Sequence, residues 1–140
     1  MNIVEIIMEK GSYKMSKKYV WNLAEEIKNN PILEHQKLTR TFLANGRYGT
    51  ALVVQANPQT EPFIHLHEEH DEFIYLLEGA GWAYIAGKKH DVKPGDLVYG
   101  PAGIEHGFYI PDKGVRLSFY GPAFDRLHPD RIVPSGKDLV

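Results

Sequence analysis

The stretch Phe63–Gly79, FIHLHEEHDEFIYLLEG, sets three histidines, four glutamates and one aspartate into an otherwise apolar run. Alternate side chains of a strand share a face, so Phe63, His65 and His67 point one way and Ile64 and Leu66 the other. On a helix, residues two apart would diverge by about 200°. His65-Leu66-His67 is therefore a strand-type pair, two imidazoles side by side that can hold one metal ion. The segment Glu68 to Asp71 reads as the polar turn that follows. Glu72 then opens the next strand, with Ile74 and Leu76 on its face. If the two strands pair as a hairpin, Glu72 returns beside the histidines, and two nitrogens and a carboxylate oxygen converge. Taken alone, such a histidine pair in a β protein is more often superficial or hydrogen-bonded. The position before a turn and the returning carboxylate bring the metal reading level with that one.

Outward from this stretch, eight runs rich in Val, Ile, Tyr, Phe and Leu alternate with Gly, Pro, Asn and Asp: KLTRTFLA, GTALVVQA, PFIHLH, EFIYLLEG, GWAYIAG, KHDVKPGDLVYG, HGFYI and VRLSFYG. Turn signals at Asn45-Gly46, Asn57-Pro58, Gly87-Lys88, Pro94-Gly95 and Pro111-Asp112 separate them. That spacing predicts an all-β sandwich or barrel. One short helix is expected over residues 22–29, with Asn22 as N-cap, Glu25 completing a capping box, and Asn30-Pro31 as the stop. Three units follow: an N-terminal arm (1–20), a β-barrel domain (21–122) and an extended C-terminal tail (123–140) containing Pro129 and Pro134. The apolar run NIVEIIM in the arm suits pairing with a second chain, so a homodimer is expected. MSKKYVW, from Met15, also reads as a start of its own.

Composition narrows the function. The 140 residues fit one domain with one core, 43% of them are hydrophobic, and the net charge is −2. There is no electrostatic case for nucleic acid or an anionic membrane as partner. Without cysteine, thiol nucleophiles, disulfides and thiolate metal sites are excluded, and the chain suits a reducing cytoplasm. No apolar run is long enough to span a membrane, and Glu5, Glu9 and Lys10 break up any signal-peptide pattern.

A second stretch, GDLVYGPAGIEHGFYI (Gly95–Ile110), ends a strand at Pro101-x-Gly103 and places His106 before a further aromatic strand. Together the two stretches resemble the cupin superfamily. The first matches as His65-x-His67-x4-Glu72-x6-Gly79, the second as Gly95-x5-Pro101-x-Gly103-x2-His106, with fifteen residues between Gly79 and Gly95. The family's opening glycine falls on Gln59 and its closing asparagine on Ile110; neither is a ligand position. The resemblance spans roughly Leu52 to Tyr120.

It implies a double-stranded β-helix, or jelly-roll barrel, holding one divalent metal ion (Fe, Mn, Ni, Co or Zn) on His65, His67, Glu72 and His106. It further implies a small-molecule substrate or ligand. Dioxygenase, lyase or decarboxylase chemistry on a small oxygenated molecule is favoured. A sugar or sugar-phosphate isomerase, or a non-catalytic metal- or ligand-binding module, is the alternative. By parity, Phe63, Ile74, Leu76, Phe108 and Ile110 share the ligand face, which predicts an apolar wall poor in cations. The facing of Arg40, Arg47 and Arg116 is open. Tyr48, Tyr84, Tyr99 and Tyr120 are candidate phenols. His70 is expected in the turn, outside the ligand set, and His35, His90 and His128 in solvent. Gly79, Gly95 and Gly103 are expected at turns that need positive φ.

Overall fold

The computed structural model describes residues 18–125 and 130–133. Most of the N-terminal arm, and His128, lie outside them. The expected helix forms as α1 (Leu23–Asn29): the Asn22 side chain accepts a hydrogen bond from the Glu25 N–H, and Glu25 and Glu26 put negative charge on the first turn. No residue of α1 is buried. The chain around it is tied to the barrel by polar contacts, with Gln55 donating to the Asn30 carbonyl and Asn57 to those of Leu33 and Gln36.

The described residues then form β1 (Leu38–Asn45), β2 (Thr50–Ala56), β3 (Phe63–His65), β4 (Asp71–Glu78), β5 (Gly81–Ile85), β6 (Lys88–Val92), β7 (Leu97–Gly100), β8 (His106–Tyr109) and β9 (Gly114–Gly121). They make two antiparallel sheets, β1-β2-β9-β4-β7 and β3-β8-β5-β6. This is the all-β architecture expected from the turn spacing, and it agrees with the jelly roll that the resemblance implies.

Two local expectations fail. The run KHDVKPGDLVYG is two strands in different sheets, β6 and β7, broken at Pro94-Gly95. There Gly95 takes φ 98° and the Asp96 carboxylate accepts from the Lys93 N–H. The β3–β4 hairpin does not form either: β3 pairs with β8, and β4 pairs with β7 and β9 on the other sheet. A hairpin needs a continuous ladder, and the polar segment after His65 instead carries the chain from one sheet to the other.

The period-2 pattern fixes what faces inward. Along β4, Glu72, Ile74 and Leu76 are buried while Phe73 and Tyr75 are exposed. Register then builds rows across the large sheet: Gly100, Glu72, Tyr120 and Thr50; Val98, Ile74, Ser118, Leu52 and Phe42; and Leu76, Arg116, Val54 and Arg40. One apolar cluster contains Ile74, Leu76, Ala83, Val98, Phe108 and Ile110, and another Leu52, Val54 and Tyr120 with Leu38, Phe42 and Phe124. Burying one such large aliphatic side chain stabilises the fold by about 1.5–3 kcal/mol.

Gly79, Gly95 and Gly103 all have positive φ, as their turns require. At Gly79 there is a second constraint: a Cβ would meet the Lys113 carbonyl at 2.7 Å. Gln59, standing where the family motif has glycine, extends the ladder beside β8. It donates from its amide to the Phe108 carbonyl and accepts from the Ile110 N–H.

Candidate metal centre

His65 ends β3 and His106 begins β8, and the two are direct cross-strand partners with ring centroids 4.6 Å apart. His67 lies just past β3, its ring 4.9 Å from that of His65. Glu72 comes from the opposite sheet. Its Oε1 lies 3.0 Å from His106 Nε2, 3.4 Å from His67 Nε2 and 3.9 Å from His65 Nε2. One donor atom from each of the four residues lies within 4.8 Å of the others. Ligands bonded to one ion at about 2.0–2.2 Å sit roughly 3–4 Å apart, so the three distances to Glu72 fit a shared cation.

The surroundings fit as well. His106 donates its Nδ1–H to the Ile104 carbonyl at 3.1 Å, and His67 donates its Nδ1–H to the Asp130 carbonyl. Each bond puts a proton on Nδ1, so in the neutral ring Nε2 is the nitrogen that can bind an ion. His67 Nε2 is buried and has no hydrogen-bond partner among the described residues. A buried polar atom without a partner is costly, and a metal ion would satisfy this one. Gly100 makes room for the cluster: a Cβ there would lie 2.9 Å from the His106 ring.

Electrostatics keep His65 neutral and Glu72 ionised, while His106 leans toward its protonated form. Burial lowers the His65 pKa from 6.5 to about 4, against the opposing pull of Glu72. Burial alone would raise the Glu72 pKa, but the hydrogen bond from His106 and the surrounding imidazoles of His65 and His67 hold it well below the usual carboxylate range. For His106 burial acts downward, and the hydrogen bond and charge of Glu72 outweigh it, so its pKa is raised.

His70 is outside the four-residue cluster, as expected, but it is not in solvent. It is buried, with Nδ1 2.9 Å from the Asp130 carboxylate and Nε2 3.1 Å from the Ala123 carbonyl. Asp130 also accepts from the Glu68 and Glu69 N–H groups, and Ile132 bridges to Leu66. Residues 130–133 thus form a strap across the ligand loop. Asp130 is far from the motifs in sequence, and no local pattern marks it. His35 and His90 are exposed, as expected.

The wall is not poor in cations. Arg40 and Arg116 flank Val54 in one inward-facing row, and the Arg116 guanidinium sits 4.7 Å from the Phe108 ring of the opposite sheet. Of the candidate phenols, Tyr120 is buried, its ring 5.3 Å from that of His67, whereas Tyr48 and Tyr99 are exposed. Burial and the Glu72 charge push the Tyr120 pKa well above its usual range.

Comparison with known proteins places this geometry. The family described as "Cupin domain" matches residues 52–120, the span that carries all four clustered residues. An uncharacterized protein of Aquifex aeolicus (strain VF5) is 35% identical over 69 residues, and the match covers 48% of this chain and 56% of that protein. The chain therefore matches little more than half the length of that curated relative. The structure of KdgF from Halomonas sp. superposes with a TM-score of 0.60 at 24% identity, covering 66% of this chain and 84% of that one. A Klebsiella pneumoniae protein with a double-stranded β-helix domain gives 0.65 at 17% identity, covering 78% and 94%. Ectoine synthase from P. lautus gives 0.62 at 16%, covering 76% and 80%. At these identities the likeness is one of fold. With the barrel, the family match and both histidine motifs in agreement, the chain belongs to the cupin superfamily.

Proposed function

We propose that His65, His67, Glu72 and His106 hold one divalent metal ion, and that the protein is an enzyme acting on a small oxygenated organic molecule chelated there. The observation that carries this reading is the convergence of three imidazole nitrogens and one carboxylate oxygen within 4.8 Å, from both sheets, in the barrel interior. Three neutral nitrogens and one carboxylate would leave a divalent ion with net positive charge and open positions, a Lewis acid for an oxygenated substrate. Tyr120, kept protonated, would donate a hydrogen bond to negative charge developing beside Glu72. Phe63, Phe108, Ile74 and Leu76 would keep water from the site.

This apolar surround favours dioxygenase or lyase and decarboxylase chemistry. A second reading, an isomerase acting on a sugar or sugar phosphate, draws support from the inward-facing Arg40 and Arg116. Metal content, measured on wild type, His106→Ala and His70→Ala purified side by side, tests the ligand assignment. Wild type and His70→Ala should carry about one equivalent and His106→Ala far less. If His106→Ala keeps its metal while His70→Ala loses it, the assignment is wrong. A loaded wild type that turns over no oxygenated substrate class would favour a binding module.

A further inference from the structure

Arg116 has no role in the cluster just described, yet it is placed beside it. It faces inward on β9, two residues from Ser118 and four from Tyr120, and its guanidinium lies over the Phe108 ring. Its Nη1 is sealed from solvent and has no hydrogen-bond partner among the described residues, and the same holds for Ser118 Oγ, on a side chain with no exposed surface. Burying an unfilled guanidinium edge and an unfilled hydroxyl on adjacent inward positions costs free energy that apolar residues would not incur. Burial also lowers the Arg116 pKa, while the charge of Glu72 supports it. Arg116 in turn disfavours the protonated form of His106, so its charge is felt at the centre. Arg40 adds a second positive charge to the same row. Glu72 is the carboxylate of the candidate centre, and its Oε1 is engaged by imidazoles. A divalent ion there would add positive charge beside Arg116.

We propose that the substrate carries a carboxylate, bound by Arg116 and Ser118 within the barrel while its other oxygens face the four-residue centre. This deepens the enzyme reading above and rests on it. Two unfilled buried donors match the two oxygens of a carboxylate, and a planar guanidinium edge suits that group. A phosphate has a third anionic oxygen, and the one other unfilled buried side-chain atom among the described residues, His67 Nε2, belongs to the candidate centre. The Phe108 ring, its centroid 4.7 Å from the guanidinium carbon, packs against that group.

The test is calorimetric titration of wild type with pyruvate, glycolate and oxalate, with methyl pyruvate and methyl glycolate, and with inorganic phosphate. Both metal-loaded and metal-free protein are titrated. The acids are expected to bind loaded wild type about ten- to a hundredfold more tightly than the esters. Arg116→Met should remove that discrimination and keep its metal, and Arg116→Lys, which retains charge without the planar edge, should recover only part of it. Equal affinity for acid and ester in the wild type overturns the proposal without any variant, and so does a preference for phosphate. If the protein holds no metal but acids are still preferred over esters through Arg116, the carboxylate site stands and the metal reading alone fails.

Discussion

At His65 burial works against protonation, and the effect on stability has a definite sign. With a folded pKa of about 4 against an ordinary 6.5, the unfolded chain binds more protons than the folded one between those values. Stability from this residue is therefore complete above about pH 6.5 and is lost as the pH falls toward 4. Glu72 acts in the same direction lower down: its depressed pKa contributes stability above the ordinary carboxylate value, lost as the pH falls through the folded one. His106 runs the other way, its raised pKa contributing below 6.5 and fading as the pH rises through the folded value. Urea unfolding of metal-free protein from pH 7 to 4 should show stability falling with acid, and His65→Gln should flatten the dependence across the window between 6.5 and 4. Parallel curves for the two proteins would contradict a half-buried, neutral His65.

Among the elements, the strap is the piece whose loss has the clearest reading. The Asp130 carboxylate accepts from Glu68 N–H, Glu69 N–H and His70, and these bonds outweigh burial to hold its own pKa low. Its backbone carbonyl orients His67. Asp130→Ala keeps that carbonyl but releases its anchor. Partners of this kind around a metal ligand typically control about 10–100-fold in affinity. Asp130→Ala should accordingly bind zinc more weakly in a competition titration with a chelating dye, with the circular dichroism spectrum of the barrel unchanged. Wild-type affinity in the variant would reduce the strap to a surface contact. Nothing comparable is expected at Phe73 or Tyr99, which stack on each other on the exposed outer face of the large sheet.

For the whole molecule, the candidate centre joins the sheets: β3 and β8 supply histidines and β4 the carboxylate. An ion bound there would close the barrel and stabilise the folded state by mass action, about 2.7 kcal/mol at a free concentration one hundred times Kd. Removing metal with a chelator should lower Tm by several degrees, and adding back a divalent ion should restore it. An unchanged melting curve with metal loss confirmed would mean the ion carries no structural weight. A homodimer remains our proposal for the assembly, motivated by the apolar run NIVEIIM, which lies outside the described residues. Sedimentation of full-length protein and of a chain starting at Met15 checks it, and two monomers would end the idea. Among the described residues no helix is long and apolar enough to cross a membrane.

Local chemistry made much of this protein legible in its sequence. Period-2 alternation placed Glu72, Ile74 and Leu76 on one buried face, turn residues marked the strand ends, Asn22 and Glu25 marked the start of α1, and the two histidine motifs picked out the four residues that cluster. Each of these signals acts over a few residues, so it survives in the order of letters. Pairing does not. That β3 lies beside β8 and across from β4, that Arg40 and Arg116 share an inward row through Val54, and that Asp130 reaches back to His67 and His70 are contacts between distant segments. A strand's alternation says which residues share a face, but only the packed sheets decide which face is inside and what stands opposite it.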